Sequence, residues 1–239
     1  MADAAQIRDR PLLAVLIDAD NVPARHAEAI LKEISAIGEP ALRRVYGDWS
    51  SGQLKSWSGR IRSLGLNAHQ ETANTQGKNA SDIGLVIDAM DILHTRRFDG
   101  FVLVSSDSDF TALANRLRED GLMVIGIGEA KTPEALITVC NRFIFLENIA
   151  EPAAGEKAQP RKGGKAAADA LPLIEAAMDR LDHDGEWYSL GLIGQTIQAE
   201  RPDFDTRTYG HRKLSALVRD IKSLETRKEA NHLMIRLRE

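Results

Sequence analysis

From residue 12 to residue 149 the chain alternates short aliphatic runs with longer segments of helical periodicity, and that alternation admits very few folds. Leu12 to Ile17 is a continuous aliphatic run ending in Asp18, as expected of a strand buried on both faces of a parallel sheet. A helix should follow, with Pro23 at its first position, Ile30, Leu31 and Ile34 on one face, and Gly38 ending it. Ala41 to Tyr46 reads as a second strand, Gln53 to Leu64 as a helix closed by Gly65, and Leu66 to Gln70 as a third strand. Ser81 to Leu93 carries Ile83, Val86, Ile87 and Met90 at helical spacing, and Phe101 to Ser105 is another buried strand. Phe110 to Glu119 makes a helix ended by Gly121, and Met123 to Ile127 a fifth strand. Thr132 and Pro133 suit an N-cap and first helical position, and Phe143 to Leu146 an edge strand. Such alternation requires right-handed crossovers, so an α/β fold is expected, a doubly wound, mostly parallel sheet with helices on both faces.

Composition changes near residue 150. The stretch EPAAGEKAQPRKGGKAAA, residues 151 to 168, has no large apolar side chain and reads as a linker. Its cations Lys157, Arg161, Lys162 and Lys165 are those of a solvated tether, although phosphates would also attract them. Beyond it, Leu171 to Leu181, Leu190 to Ala199 and His211 to Leu224 have helical periodicity, the last with Leu214, Leu217, Val218 and Ile221 inward. Leu233, Ile235 and Leu237 alternate with Met234, Arg236 and Arg238 as in a strand. Three short helices with a terminal strand pair suggest a small winged-helix α+β domain. The expected division is 11–149 for the sheet domain, 150–167 for a flexible linker and 168–239 for the second domain.

One cysteine, Cys140, can make neither an internal disulfide nor a thiolate cluster, so a reducing cytoplasm is the expected compartment. The segment MADAAQIRDR is charged, and the run from Leu12 to Ile17 is too short for a signal-peptide core or a bilayer span, so no membrane association is expected. A net charge of −4 argues against a general nucleic-acid coat but leaves room for a local basic surface.

The chemistry lies in acids placed just after buried strands. Asp18 and Asp20, with Asn21, follow the first strand in LIDADN, and Asp107 and Asp109 follow the fourth in LVSSDSDF. In a doubly wound sheet of order 3-2-1-4-5 these strands are neighbours, and ligands bind outside their carboxyl ends where strand order reverses. Asp82, in the first turn of the helix after the third strand, begins at the same rim. Carboxylates that converge repel one another unless a cation neutralises them. With no Cys or His in the acidic motifs, the donors are hard oxygens, which favour Mg²⁺ or Mn²⁺ over zinc. Singly, each acid has a plainer use as a helix cap, a turn former or compensation for a helix dipole, and Asp20 is left with that use. Asp88, Asp91 and Asp99 are assigned to solvated surface.

Around the acids, Lys78 in TQGKNASD precedes Asp82 by four residues and could meet a scissile phosphate. Ser105 and Ser106 could bond a phosphate or shape the turn, and Asn21 could contact substrate, orient an acid or cap the next helix. Trp49 and Trp57 are better suited to packing than to base stacking. The pairs Arg43 and Arg44, Arg60 and Arg62, and Arg96 and Arg97 could track a nucleic-acid backbone, or simply be surface cations. In the second domain His211, Arg212 and Lys213 lead into the third helix, where a recognition element would meet phosphates or bases. Phe204 and Tyr209 read as core anchors.

LIDADN (Leu16 to Asn21), KNASDI (Lys78 to Ile83) and SSDSDF (Ser105 to Phe110), in that order, resemble the NYN domain, a PIN-like nuclease family with a Rossmann-like sheet that includes LabA-like proteins. The resemblance implies a Mg²⁺- or Mn²⁺-dependent ribonuclease with acidic positions at Asp18, Asp82, Asp107 and Asp109 and a supporting Asn21. GEWYSLGLIGQTI (Gly185 to Ile197) and RPDFDTRTYGHRKLSALV (Arg201 to Val218) resemble the LOTUS, or OST-HTH, domain, particularly at Phe204, Tyr209, Gly210, Lys213 and Leu214. That likeness implies RNA binding and protein partners, and pairing of two copies is a further expectation.

Three function classes follow. The first is a metal-dependent endoribonuclease with Asp18, Asn21, Asp82, Asp107 and Asp109 as its catalytic set and Lys78, Ser106, His211, Arg212 and Lys213 as substrate contacts. The second is a non-catalytic RNA-binding adaptor, since an intact acid set need not be an active one. A phosphatase acting on small substrates would share Asp-X-Asp after a strand but leave the second domain idle.

Overall fold

The computed structural model describes residues 9–50, 52–70, 80–149, 165–181, 186–230 and 232–238, with residues 53 and 80 described only as backbone. Contacts divide the chain into two units, Met1–Glu151 and Pro152–Glu239.

In the first unit the strands are β1 (Leu12–Asp18), β2 (Glu39–Gly47), β3 (Asn67–Gln70), β4 (Gly100–Val104), β5 (Met123–Gly128) and β6 (Arg142–Phe145). All pair in parallel, in the order β3-β2-β1-β4-β5-β6. The helices between them are α1 (Ala27–Ile37), α2 (Lys55–Leu64), α3 (Ala80–His94), α4 (Thr111–Glu119) and α5 (Glu134–Val139), and α6 (Leu146–Ile149) closes the unit. Strand order reverses between β1 and β4, as in the 3-2-1-4-5 order that makes their carboxyl ends neighbours.

Sequence patterning explains the layers. β1 and β4 are central and buried on both faces, so every position from Leu13 to Asp18 and from Gly100 to Val104 is inside. On one face Val15, Ile17 and Val104 pack with Ile30, Ile34 and Trp57. On the other, Leu16, Leu103 and Phe101 pack with Leu85, Ala89 and Leu117. Gly100 and Gly126 lie where a side chain would strike Met123 O and the Phe143 ring, so the sheet needs glycine there. Pro23 precedes a 3-10 turn, Ala24–His26, rather than opening α1 directly, and Gly38 caps α1 with its N–H on Ile34 O.

The second unit contains a 3-10 turn at Ala167–Ala170, α7 (Leu171–Arg180), β7 (Tyr188–Ser189), α8 (Leu190–Glu200), a 3-10 turn at Thr206–Tyr209, α9 (Leu214–Asp220), β8 (Leu224–Glu229) and β9 (His232–Leu237). Its antiparallel sheet runs β7-β9-β8 around a core of Ile174, Ile193, Leu217, Val218 and Ile235. The third helix is shorter than expected. Gly210 sits at φ 79° and sends the His211 N–H back to Thr206 O, so the helix begins only after Lys213. At its other end Ile221 is extended, and a turn from Ile221 O to Leu224 N starts β8. Lys157, Arg161 and Lys162 lie outside the described residues, and Lys165 donates its backbone N–H to Thr208 O.

Candidate active site

β1 ends at Asp18, which is paired in register with Tyr46 of β2 and only 1% exposed. A carboxylate in such a place must be hydrogen-bonded. Its Oδ1 accepts the backbone N–H groups of Asp20 (3.1 Å) and Asn21 (3.2 Å). Its Oδ2 accepts the Asn21 amide (2.6 Å) and the Ser105 hydroxyl (2.8 Å). Burial pushes the Asp18 carboxyl up, while the donors from Asn21 and Ser105 hold it down; burial prevails. Asn21 thus orients an acid, one of the roles open to it from sequence.

Ser105, immediately after β4, joins the two acidic motifs. Its hydroxyl donates to Asp18 and accepts the Asp107 N–H at 3.1 Å. Asp107 then caps the 3-10 turn Ser108–Phe110, its Oδ1 accepting the Asp109 N–H at 2.9 Å. Capping therefore uses one Asp107 oxygen, and the side chain remains half-buried at the rim. Ser106 points elsewhere, its hydroxyl accepting the Glu129 N–H at 2.8 Å and tying the turn after β4 to the turn after β5. For Ser106 the turn-shaping use is the one observed.

Asp82 stands in the first turn of α3, which packs on β1, β2 and the Ser108–Phe110 turn. Burial raises its carboxyl to about 6, and the charges of Asp18, Asp107, Asp109 and Asp20 all add to the rise. Acids separated by up to 91 positions therefore act on one another across a single rim. Among the described residues, no group of three or more His, Cys, Asp or Glu side chains is arranged so that it could hold a metal ion. Lys78 lies outside the described residues.

Other residues are placed in packing or ion pairs. Trp57 is buried with Nε1 on Val22 O at 3.1 Å, and Trp49 is half-buried with Nε1 on His69 O at 2.7 Å. Arg43 donates to Leu64 O, Arg60 reaches Glu28, and Arg97 lies by the Phe98 ring. Asp88, expected on solvated surface, instead accepts Arg44 Nη1 and the Tyr46 hydroxyl. Asp99 is exposed but accepts the Leu12 N–H at 2.6 Å. Sequence reasoning missed the Asp88 contact because α3 carries apolar residues all round. Ile83 and Ile87, expected inward, are 60% and 58% exposed, and the helix turns Leu85, Ala89 and Ile92 to the sheet.

In the second unit Arg212 and Lys213 are exposed ahead of α9, whereas His211 turns its Nε2 to Asp220 at 3.3 Å. Tyr209 is buried and Phe204 packs on it at 6.0 Å between ring centroids, as core anchors. Trp187 carries two guanidinium groups over its ring, Arg227 at 4.3 Å and Arg236 at 4.8 Å.

Among the described residues, no helix is long and apolar enough to cross a membrane.

The chain was compared with known proteins. No curated protein matches it. Among solved structures it is similar to a protein of unknown function from Vibrio parahaemolyticus, at 19% identity and TM-score 0.47, covering 56% of this chain and 91% of that one. It also matches MurG of Acinetobacter baumannii at 11% identity and TM-score 0.38, covering 88% of this chain and 70% of the other. At those values neither likeness bears on function. The OST-HTH/LOTUS domain model matches residues 166–234, and the NYN domain model residues 12–147. A nuclease-type domain followed by an RNA-associated one gives the chain a nuclease-like, RNA-associated character. Because the NYN match takes in more than half of the 239 residues, the protein belongs to the NYN-domain family.

Proposed function

We propose that this protein is a Mg²⁺- or Mn²⁺-dependent endoribonuclease that hydrolyses RNA phosphodiester bonds at the rim formed by Asp18, Asp82, Asp107 and Asp109, with its C-terminal domain recruiting the RNA. The observation that carries the reading is the Ser105 hydroxyl, which donates to Asp18 and accepts the Asp107 N–H and so sets the two acidic motifs beside one another, with the Asp82 carboxyl raised by burial and by the charges of its acidic neighbours. A site that repels its own protonatable groups in this way is poised for a cation.

The donor set fits such an ion. Its oxygens are hard, and magnesium needs only one or two carboxylates, completing its shell with water and substrate phosphate. Asp18 has four donors on its two oxygens, so direct ligation there requires the Ser105 hydroxyl or the Asn21 amide to turn away. Asp82, Asp107 and Asp109 would supply further carboxylate oxygens. When bound, such an ion would supply activation of water and stabilisation of the charge that develops on the phosphodiester.

The chain's own residues do the rest. Asn21 and Ser105 hold Asp18 in a fixed orientation, and the Ser105 hydroxyl sets the Asp107 backbone beside it. Asp82 takes up a proton as pH falls toward 6, which removes its charge from the rim. Lys78 would meet the scissile phosphate, and Arg212 and Lys213, exposed ahead of α9, would track phosphates, with His211 beside them.

A cleavage assay on single-stranded and structured RNA with Mg²⁺, Mn²⁺ or EDTA tests this, repeated with Asp18→Asn and Asp107→Asn. Loss of cleavage in both variants and in EDTA supports it. Full cleavage by either variant overturns the assignment. The four donors already on Asp18 favour one other reading, a non-catalytic RNA-binding adaptor in which that carboxylate serves only to shape the rim. RNA binding that survives EDTA without turnover would select it.

A further inference from the structure

Asp82 lies in the first turn of α3, which packs on the Ser108–Phe110 turn that Asp107 caps, so like charges meet at that end of the helix. An α-helix end pushed away from its neighbours must be held elsewhere along its length. The outward Ile83 and Ile87 contribute nothing to that hold, and the apolar attachment on the sheet side runs through Leu85, Ala89 and Ile92. The polar attachment is Asp88. One of its oxygens accepts Arg44 Nη1 and the other the Tyr46 hydroxyl, so both carboxylate oxygens are bound by donors from one strand. Arg44 and Tyr46 are two apart on β2 and so project to the same face of the sheet, the face that α3 covers.

The register adds the functional link. Tyr46 is the β2 partner of Asp18, and its carbonyl accepts the Ala19 N–H at 2.8 Å. One residue is therefore fixed to the strand end that bears Asp18 and bonded to the helix that bears Asp82. Six residues, roughly 9 Å of helix axis, separate Asp88 from Asp82. Tyr46 is fully buried, and burial together with the neighbouring Asp88 carboxylate pushes its phenol up, so it donates throughout the working pH range. We propose that Asp88 is a positioning residue, held by Arg44 and Tyr46 so that α3 keeps Asp82 at the rim that Asp18 closes. The consequence for catalysis rests on the nuclease reading above; the mechanical role does not.

Amide hydrogen exchange on the full chain without metal separates the two. Asp88→Asn keeps the shape of the side chain but removes its charge. The first turns of α3, from Ile83 to Leu85, should then exchange about tenfold faster, the effect of losing one charge-assisted tie in a locally opening segment. Adding Asp82→Asn to Asp88→Asn relieves the repulsion and should restore most of the protection, which a merely structural loss of packing would not do. Tyr46→Phe, which leaves the ring in the core, should give a smaller change in the same direction if Asp88→Asn does not fold. Unchanged exchange in Asp88→Asn and in Tyr46→Phe, or equal loss of protection with and without Asp82→Asn, overturns the proposal. In parallel, Mn²⁺ titration followed by the electron-spin signal of the free ion should show binding weakened by about 10- to 100-fold in Asp88→Asn, with kcat for RNA falling and KM nearly unchanged. Wild type that binds no Mn²⁺ and cleaves no RNA would sink the nuclease reading while the exchange result still decides the role of Asp88.

Discussion

The rim of the first unit and the outer face of the small sheet in the second handle charge in opposite ways. At the rim, Asp18, Asp20, Asp82, Asp107 and Asp109 bring one sign together, and Asp82 is raised to about 6 as a result. On the small sheet Glu225, Arg227 and Glu229 alternate along β8, yet both signs interleave. Arg236 reaches Glu186 and Glu225, Arg227 reaches Glu229, and Arg238 reaches Glu225, with Trp187 beneath two of the guanidinium groups. The second arrangement is satisfied by its own side chains. The first gathers charges of one sign, and on the nuclease reading proposed above a bound cation would relieve that cost. Perturbation of the rim should therefore change activity and pH response strongly, whereas perturbation of the sheet face should change little.

The largest expected effect is on turnover. Asp107→Asn should lower RNA cleavage by at least about a hundredfold while leaving the melting temperature near that of wild type, because an asparagine oxygen can still cap the Ser108–Phe110 turn. An initial-rate assay alongside a thermal melt checks both. A variant that melts early and cleaves normally would reverse the contrast between the regions. Ser105→Ala should come next. It leaves a carboxylate that is 1% exposed with one donor fewer and should destabilise the first unit by about 1–3 kcal/mol, measurable by urea denaturation.

The pH response follows from Asp82. Its carboxyl is at 3.8 in the unfolded chain and about 6 in the folded one, so the unfolded state ionises first as pH rises. Stability from this group is complete below about 4 and is lost through about 6. Half-exposure and solvent screening reduce the effect to roughly 1 kcal/mol. Thermal melts of metal-free wild type and Asp82→Asn between pH 4 and pH 7.5 should diverge over that window, with the variant the more stable at the upper end. Mn²⁺ at pH 7.5 should then raise the melting temperature of wild type more than that of Asp82→Asn. Curves that stay parallel would mean that the acids do not sense one another.

Much of this was legible in the sequence, for reasons that can be named residue by residue. Strands buried on both faces leave uninterrupted aliphatic runs, so β1 and β4 and the acids that follow them are legible in the sequence. The observed order β3-β2-β1-β4-β5-β6 contains the 3-2-1-4-5 order in which the sequence reading placed the acids. Periodicity failed at α3, where Ile83 and Ile87 match the spacing of a buried stripe but Leu85, Ala89 and Ile92 are the residues inside. A helix apolar on several sides gives no phase, and the error carried Asp88 with it to the wrong surface. Ser105 is one of two adjacent serines beyond the end of β4, and only the observed contacts tell which of them meets Asp18. The third helix of the second unit was drawn too long because Gly210 and Ile221 interrupt it through backbone angles, not through polarity.

The smallest expected effect lies on the sheet face and gives the contrast its sharpest control. Arg227 is exposed, and its partner Glu229 is more so, at 49% and 60% of their side chains. Exposed pairs of this kind contribute about 0–1 kcal/mol, and a guanidinium over a half-buried indole adds about 0.5–1 kcal/mol. Arg227→Gln should thus lower the stability of the second unit by about 1 kcal/mol, with no strong dependence on pH between 5 and 8. Cleavage of a short RNA at saturating concentration should be unchanged, because the substitution leaves every acid of the rim in place. Urea denaturation at pH 5 and pH 8 with the same cleavage assay is sufficient. A pH-dependent loss larger than that of Asp82→Asn would show that the paired face, not the crowded rim, holds the protein's electrostatic tension.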